Sequence, residues 1–271
     1  MIALSYLSAI RFSELDAGNF LHNQLSADVL GLSDGESTFA CYCEPKGRVL
    51  ALMLVCRVEQ DYFVLMSRLL APIVIQRLKI YVMRSKVKIE EMSELSVLVP
   101  EQNDTRQLLQ DKPVVIPIPA SNQSFSLSTE STSAYTNEPL QNAWKQSELR
   151  MGVTWLCPET SGQFLPQMLG FDQLGAVNFR KGCYPGQEIV ARTHYLGKVK
   201  RHPRLLETRE EICPVLMEQV RVLGDGQSHQ AIIVDTGHGE DGSVSLMVVT
   251  RMQPELKADS IEYLDQTFIL I

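Results

Sequence analysis

No stretch of this chain approaches the roughly 18 consecutive apolar residues that a membrane-spanning helix requires, so no membrane association is expected. The apolar N-terminus, MIALSYLSAIRF, lacks a basic leader and a small-residue cleavage site. Signatures of the H-E-x-x-H, Walker and Rossmann types are missing, and the glycine-rich turns at 224–226 and 237–242 lack the strand-to-helix context of a phosphate loop. There is no C-x-x-C pair: the six cysteines (41, 43, 56, 157, 183, 213) are scattered, which excludes a small-domain disulfide framework and points to reduced thiols in a cytoplasmic protein. An excess of positive charge is also lacking. With 25 Lys and Arg against 32 Asp and Glu, the net charge of −7 argues against the broad basic surface of a general nucleic-acid binder, so no direct nucleic-acid contact is expected.

What is present is ordinary globular material, 45% hydrophobic and 21% charged, in 271 residues, which is more than one average domain. Ser13 with Asp16 three residues on resembles a helix start, and Phe20, Leu21, Leu25 and Val29 fall near one face of a helix running to about Leu30. STFACYC, RVLALMLVCRV and YFVLMS then read as strands, with EPKG as a hairpin turn between the first two. Residues 68–85 fit a helix with an early Pro72, KVKIEE another strand, and 140–151 a helix. The Ser/Thr-rich stretch 119–138 reads as a loop, although SFSLS within it alternates like a strand. Residues 152–178 lack periodicity, as irregular backbone around sites often does. From about Leu205 strand follows strand, with GDGQ and GHGEDG as hairpin turns, which suggests a small antiparallel sheet or barrel.

The most informative stretch is NFRKGCYPGQEIVAR, 178–192. Arg180 and Lys181 precede Cys183, and GQEIVAR can open a helix or strand just after Gly186. Cations and helix N-termini both favour the reactive thiolate. Gly182 and Gly186 permit tight turns and Pro185 stiffens the loop between them. A buried, inert thiol is the competing reading of Cys183. A Cys–His nucleophile pair could use His194, His22 or His202, and the spacing favours none of them. Cys41 and Cys43 point to one face of a strand and read as core residues rather than metal ligands. Residues 192–204 hold five Lys or Arg (192, 198, 200, 201, 204) and no acid: an anion site, centred on Arg192, or a solvated linker. Trp144 and Trp155 can stack on a flat heteroaromatic ligand or simply pack in the core.

KGCYPGQE, 181–188, matches in full the K-G-C-Y-x-G-Q-E signature of the YgfZ-type family of folate-binding proteins. SGQFLPQ at 161–167, NQLSADVLGL at 23–32 and CEPKGRVLA at 43–51 also resemble family landmarks, so the likeness runs from about residue 5 to 205. The stretch 100–138 looks shorter than in longer members. The resemblance implies support of iron–sulfur cluster assembly or repair, and through it of tRNA thiomodification, with iron–sulfur client or assembly proteins as partners. It also implies kinship with the glycine-cleavage T-protein, a tetrahydrofolate-dependent aminomethyltransferase. The expected fold is α+β: a T-protein-like body with a ferredoxin-like part over 1–200, and a small C-terminal antiparallel β-barrel over 201–271. The implied cofactor is tetrahydrofolate or a derivative, walled by Trp144, which lies eight residues before Gly152 as in relatives, with Tyr6 and Leu7 nearby and Arg192 meeting the glutamyl carboxylate. Cys183 becomes a functional loop thiol, supported by Lys181, Gly182, Tyr184, Gly186, Gln187 and Glu188, and no resident metal is expected.

Two positions depart from the relatives. Ala51 and Leu52 stand where the transferase has its acidic residue, and Arg150 stands where a glutamate reads the pterin ring, with Glu148 two residues earlier. An accessory protein without turnover of its own is therefore expected, with a folate-dependent one-carbon transferase as the alternative.

Overall fold

The computed structural model describes residues 1–99, 114–129, 137–264 and 266–271. Three antiparallel sheets organise the chain. The first carries the largest apolar load and is built from β2 (Leu7–Ser13), β3 (Ser37–Cys43), β4 (Val49–Val58), β5 (Asp61–Ser67) and β6 (Lys88–Glu91), in the order β3-β4-β5-β2-β6. Without β3, this is the split βαβ arrangement of ferredoxin-like folds, since α1 (Ala17–Gln24) links β2 to the β3–β4 hairpin and α2 (Ala71–Val82) links β5 to β6. The run from Val49 to Cys56 in β4 is continuously hydrophobic because nearly every residue in it is buried on one face or the other. Along α2, Ala71, Val74, Ile75 and Leu78 form the buried stripe at helical spacing.

Helix α1 ends well before the expected Leu30. Its cap residue Asp16 makes no capping bond; its Oδ2 accepts instead from the Lys86 amide at 2.7 Å, tying the helix start to the strand entering β6. Leu25 is already extended and bridges to Tyr42, so the apolar periodicity beyond Gln24 belongs to a buried loop (Ala27, Val29, Leu32) rather than to helix.

The second sheet has the order β1-β7-β9-β8, from β1 (Ile2–Ala3), β7 (Ser96–Val99), β8 (Val114–Pro117) and β9 (Ser124–Ser128). SFSLS is thus a strand. Much of the 100–138 segment lies outside the described residues. Helix α3 (Glu138–Arg150) follows, capped by Asn137, whose side chain accepts from the Leu140 amide at 3.1 Å. The irregular stretch 152–178 holds turns and one 3-10 turn at Pro166–Met168, and its SGQF segment fastens to β4 through Val49 N–Phe164 O (2.9 Å) and Gly162 N–Val49 O (2.8 Å). Helix α4 (Gln187–Tyr195) comes next.

The third sheet, order β10-β13-β12-β11-β14-β15, comprises β10 (His202–Thr208), β11 (Gln219–Gly224), β12 (Gln227–His238), β13 (Val244–Thr250), β14 (Ser260–Tyr263) and β15 (Gln266–Ile269). It has its own core, including Leu206, Val222, Ile233, Leu246, Val248 and Ile261. Closure into the expected barrel is not seen among the described residues. Its two edges approach through one backbone bond, Ile271 N to Glu207 O at 2.9 Å, and no strand ladder joins β15 to β10 among the described residues.

Candidate functional site

Helix α3 presents Gln141, Trp144, Lys145 and Glu148 at spacings of three and four, so all four share one face. That face meets the other two sheets. Gln141 Oε1 accepts from Ser5 N (3.1 Å) and Ser5 Oγ (2.9 Å), which anchors the turn before β2. The neighbouring Tyr6 hydroxyl donates to Glu148 Oε2 at 2.8 Å, while the Trp144 indole N–H donates to the other oxygen, Oε1, at 3.2 Å. Lys145 pairs with Asp235 at 2.7 Å and stands 6.0 Å over the Tyr6 ring. Asp235 comes from β12, where a register shift between Ile233 and Asp235 interrupts the alternation that would otherwise set its facing. Aromatic walls surround the group: Trp144 packs edge-on to Phe125 at 6.2 Å, and Trp155 tilts against Phe39 at 6.3 Å.

Burial governs the electrostatics here. Glu148 is 1% exposed, and loss of hydration pushes its pKa from 4.5 up to about 7 even though Trp155, Tyr6, Trp144 and Lys145 all favour the carboxylate. Burial also raises the Asp235 carboxyl, partly opposed by Lys145, and raises the Tyr6 phenol, with the Glu148 charge adding to the effect. Two buried polar atoms at this junction have no hydrogen-bond partner among the described residues, Asp235 Oδ2 and Trp155 Nε1. The latter lies close enough to favour the Glu148 carboxylate but not in hydrogen-bonding geometry. Buried orphans of this kind mark unused recognition capacity.

Of the residues expected from sequence, Tyr6 and Trp144 therefore meet, on a carboxylate. Leu7 is fully buried, and its carbonyl accepts from Arg68 at 3.0 and 3.2 Å, so its side chain is core and its backbone is a brace. Arg150 turns the other way and pairs with Glu207 of β10 at 2.8 Å. Ala51 and Leu52 lie buried in β4 with no carboxylate in their place. Sequence reasoning misses Lys145, Gln141 and Asp235; the i, i+3, i+4, i+7 spacing from Gln141 through Glu148 is a signal for the first two, and none marks Asp235. Beside the end of α3, a cavity of about 510 Å³ is lined by Phe39, Ile118, Leu149, Met151, Leu169 and Met247 among others.

The signature loop is a separate assembly. Lys181 Nζ donates to the carbonyls of His22 and of Leu25 (2.7 Å), where α1 ends and its carbonyls lack helical partners. Burial lowers its pKa to about 8, against the favourable fields of Asp28 and Cys183. Asn178 Oδ1 accepts from the amides of Arg180 and Lys181 at 2.8 and 3.2 Å, and Gln187 Nε2 donates to Lys181 O at 3.4 Å. Gly186 caps α4 at φ +83°. A Cβ there would meet Glu44 O at 2.4 Å and Gly47 Cα at 2.6 Å, so the EPKG turn and the signature loop interlock backbone to backbone. Tyr184 is buried beside Cys41 and Cys43, its phenol raised first by burial and then by those thiols. Cys41 and Cys43 are themselves core, and the Cys41 thiol and burial together push Cys43 well up.

Cys183 is left exposed at the tip, and no hydrogen bond reaches its sulfur among the described residues. Glu188 is exposed on the first turn of α4. Of the three histidines considered, His22 approaches the loop, its Nε2 lying 3.9 Å from where a Cβ on Gly182 would sit; burial and Lys181 lower its pKa against the pull of Asp28. His194 stacks on Phe179, and His202 is in β10. Arg192 is exposed on α4, and no hydrogen bond or ion pair ties it to the Tyr6–Trp144–Glu148 group. No cluster of three or more His, Cys, Asp and Glu with metal-holding geometry occurs among the described residues, and none of their helices is long and apolar enough to cross a membrane.

The arrangement of three antiparallel sheets around α3 is the T-protein fold. A solved aminomethyltransferase T of the glycine cleavage system from Bartonella henselae superposes with a TM-score of 0.69 over 99% of this chain and 83% of that one, at 15% identity. No family model matches the chain. Among curated proteins, the tRNA-modifying protein YgfZ of Klebsiella pneumoniae (strain 342) is 27% identical over 91% of this chain and 83% of its own length, and that of Enterobacter sp. (strain 638) is 26% identical over 96% and 87%. An uncharacterised protein of Haemophilus influenzae is 30% identical over 74% of this chain and 70% of its own. With the signature loop intact, the chain is a homologue of the YgfZ proteins and shares the fold of the T-protein.

Proposed function

We propose that this protein binds tetrahydrofolate, or a close derivative, at the Tyr6–Trp144–Glu148 junction and serves as an accessory factor for iron–sulfur cluster assembly or repair, through which tRNA modification is sustained. The observation that carries the reading is the convergence of two aromatic donors on one buried carboxylate. A carboxylate suits the adjacent N–H and amino donors of a pterin edge, and Asp235 Oδ2 and Trp155 Nε1 supply an unused acceptor and donor beside it. The residues present thus fit such a ring. When bound, the folate would carry a one-carbon unit. Glu148 would orient the ring, Trp144 and Tyr6 would wall it, and admission of the ring would exchange the Tyr6 and Trp144 hydrogen bonds for those of the ligand. Ala51 and Leu52 leave the transferase's acidic position without a proton acceptor, which favours the accessory role over turnover.

Cys183 is the group offered to the cluster-bearing partner: an exposed thiol on a loop fixed by Lys181, Gln187 and Gly186. In a deletion strain of a family member, wild type and Cys183→Ala/Cys183→Ser variants are compared for activity of an iron–sulfur-dependent tRNA-modifying enzyme. Loss in both variants with normal protein levels is expected; full complementation by either removes the role. One observation favours the transferase alternative, namely that a buried carboxyl near pH 7 can act as a general acid or base. Turnover of tetrahydrofolate with a formaldehyde-level donor, absent in Glu148→Gln, would establish it.

A further inference from the structure

The net charge of −7 hides a strong local reversal. Between Asn178 and Arg204 there are seven Lys or Arg (180, 181, 192, 198, 200, 201, 204) against a single acid, Glu188. The structure sorts them. Lys181 is turned inward onto α1, and Arg204 donates to the carbonyls of Gln253 and Pro254. Arg180, Arg192, Lys198 and Lys200 are exposed, and among the described residues their side chains make no hydrogen bond or ion pair. Glu188 sits in the first turn of α4, one turn before Arg192 on the same face, and no ion pair joins the two among the described residues.

Aromatic surface lies among these cations. Phe179 stacks on His194 with ring centroids 3.8 Å apart and 16° between planes, and Tyr195 stands edge-on to both, at 6.0 and 4.8 Å. Tyr195 is 64% exposed, although folding usually covers so large an apolar ring. A recess of about 500 Å³ opens between these rings and Val177, Asn178 and Arg180. Lys198 and Lys200 follow Tyr195 within five residues, at most about 18 Å of extended chain.

Charge alone would suit any polyanion, but exposed ring faces beside a recess suit one whose charges alternate with flat rings. We propose that this surface, formed by Phe179, Arg180, Arg192, His194, Tyr195 and the Lys198–Lys200 segment, binds single-stranded nucleic acid. A base stacks on Tyr195 or enters the recess against the Phe179–His194 pair, and the four cations meet flanking phosphates. A duplex keeps its bases stacked and offers no free ring face. An acidic peptide supplies charge without rings. The surface is distinct from the Glu148 junction and adjoins the signature loop through Arg180, so a bound strand would run beside Cys183.

The test is fluorescence anisotropy of the full chain with a labelled 12-nucleotide single-stranded RNA of mixed sequence, from low to high salt. Four phosphate contacts predict a log–log salt slope of about −3, at roughly 0.7 per contact. Tyr195→Ala should weaken binding at least about 5-fold without changing the slope, because it removes stacking and not charge. The double change Lys198→Gln with Lys200→Gln should reduce the slope to about half. Single-stranded DNA of the same sequence should bind alike, since neither stacking nor phosphate contact reads the 2′-hydroxyl. All three side chains are exposed, so the variants should keep the fold, which thermal unfolding checks. No binding at about 50 mM salt, no effect of Tyr195→Ala, or equal competition by polyglutamate or by a blunt RNA duplex would each overturn the proposal.

Discussion

Replacing Glu148 with glutamine removes the most strongly perturbed carboxyl of the α3 junction while keeping an oxygen to accept from Trp144 or Tyr6. The native carboxyl titrates near 7 instead of 4.5 because burial favours its neutral form. A raised folded-state pKa means that the folded protein holds a proton the unfolded chain has released. The stabilising contribution is therefore full below about pH 4.5 and is lost as pH rises through 7. At about 1.4 kcal/mol per pH unit, the interval amounts to about 3 kcal/mol. Urea unfolding of wild type and Glu148→Gln at pH 5, 6, 7 and 8 isolates this contribution, since Asp235 remains in both. Wild type should be more stable than the variant at pH 5 relative to its standing at pH 8, the difference closing or reversing by about 2.5 kcal/mol. Parallel stability curves for the two proteins would show that Glu148 is ionised throughout, and that Tyr6, Trp144 and Lys145 outweigh its burial.

Three further outcomes follow from the same contacts. Lys145→Met strands Asp235 as a buried unpaired carboxyl and should destabilise by about 3–5 kcal/mol at neutral pH, less in acid where Asp235 protonates; urea midpoints at pH 5 and 7.5 report both. Gly186→Ala forces a side chain onto Glu44 O and Gly47 at a positive φ and should cost roughly 2–4 kcal/mol, with a matching fall in Tm, unless the EPKG turn moves aside. Cys183→Ser should leave stability within about 0.5 kcal/mol, because the residue is exposed; a large loss would make it a structural residue after all.

The elements that sequence located best were those whose burial is simple. STFACYC is a strand to the residue, the α2 helix follows its apolar stripe, and SFSLS, alternating within a stretch read as a loop, is a strand as well. The expected helix overruns α1 because Leu25, Val29 and Leu32 are buried from a loop of bends and turns, and burial alone carries no period that distinguishes the two. Barrel closure was not legible either, since it depends on whether β15 meets β10, a contact between residues some sixty positions apart. At the junction, Tyr6 and Trp144 were named through family likeness, but the group they share was passed over in favour of the position Arg150 occupies. Lys145 and Asp235 lie 90 residues apart, on a helix and beside a strand irregularity, and no local pattern pairs them. The signature loop shows the opposite case. Its glycines and lysine stand out by residue type and by the family signature, but their reason, an interlock with the EPKG turn and the end of α1, exists only in three dimensions.

The most direct test of the central claim is anaerobic calorimetric titration of tetrahydrofolate into wild type, Glu148→Gln and Trp144→Phe. The account predicts binding in the micromolar range for wild type, weakened at least about 10-fold by loss of the charged acceptor in Glu148→Gln and reduced in Trp144→Phe, with both variants folded. Absence of binding by wild type, or equal affinity in all three proteins, would contradict a folate site at this junction and leave the Tyr6–Trp144–Glu148 group as a structural tie between the three sheets.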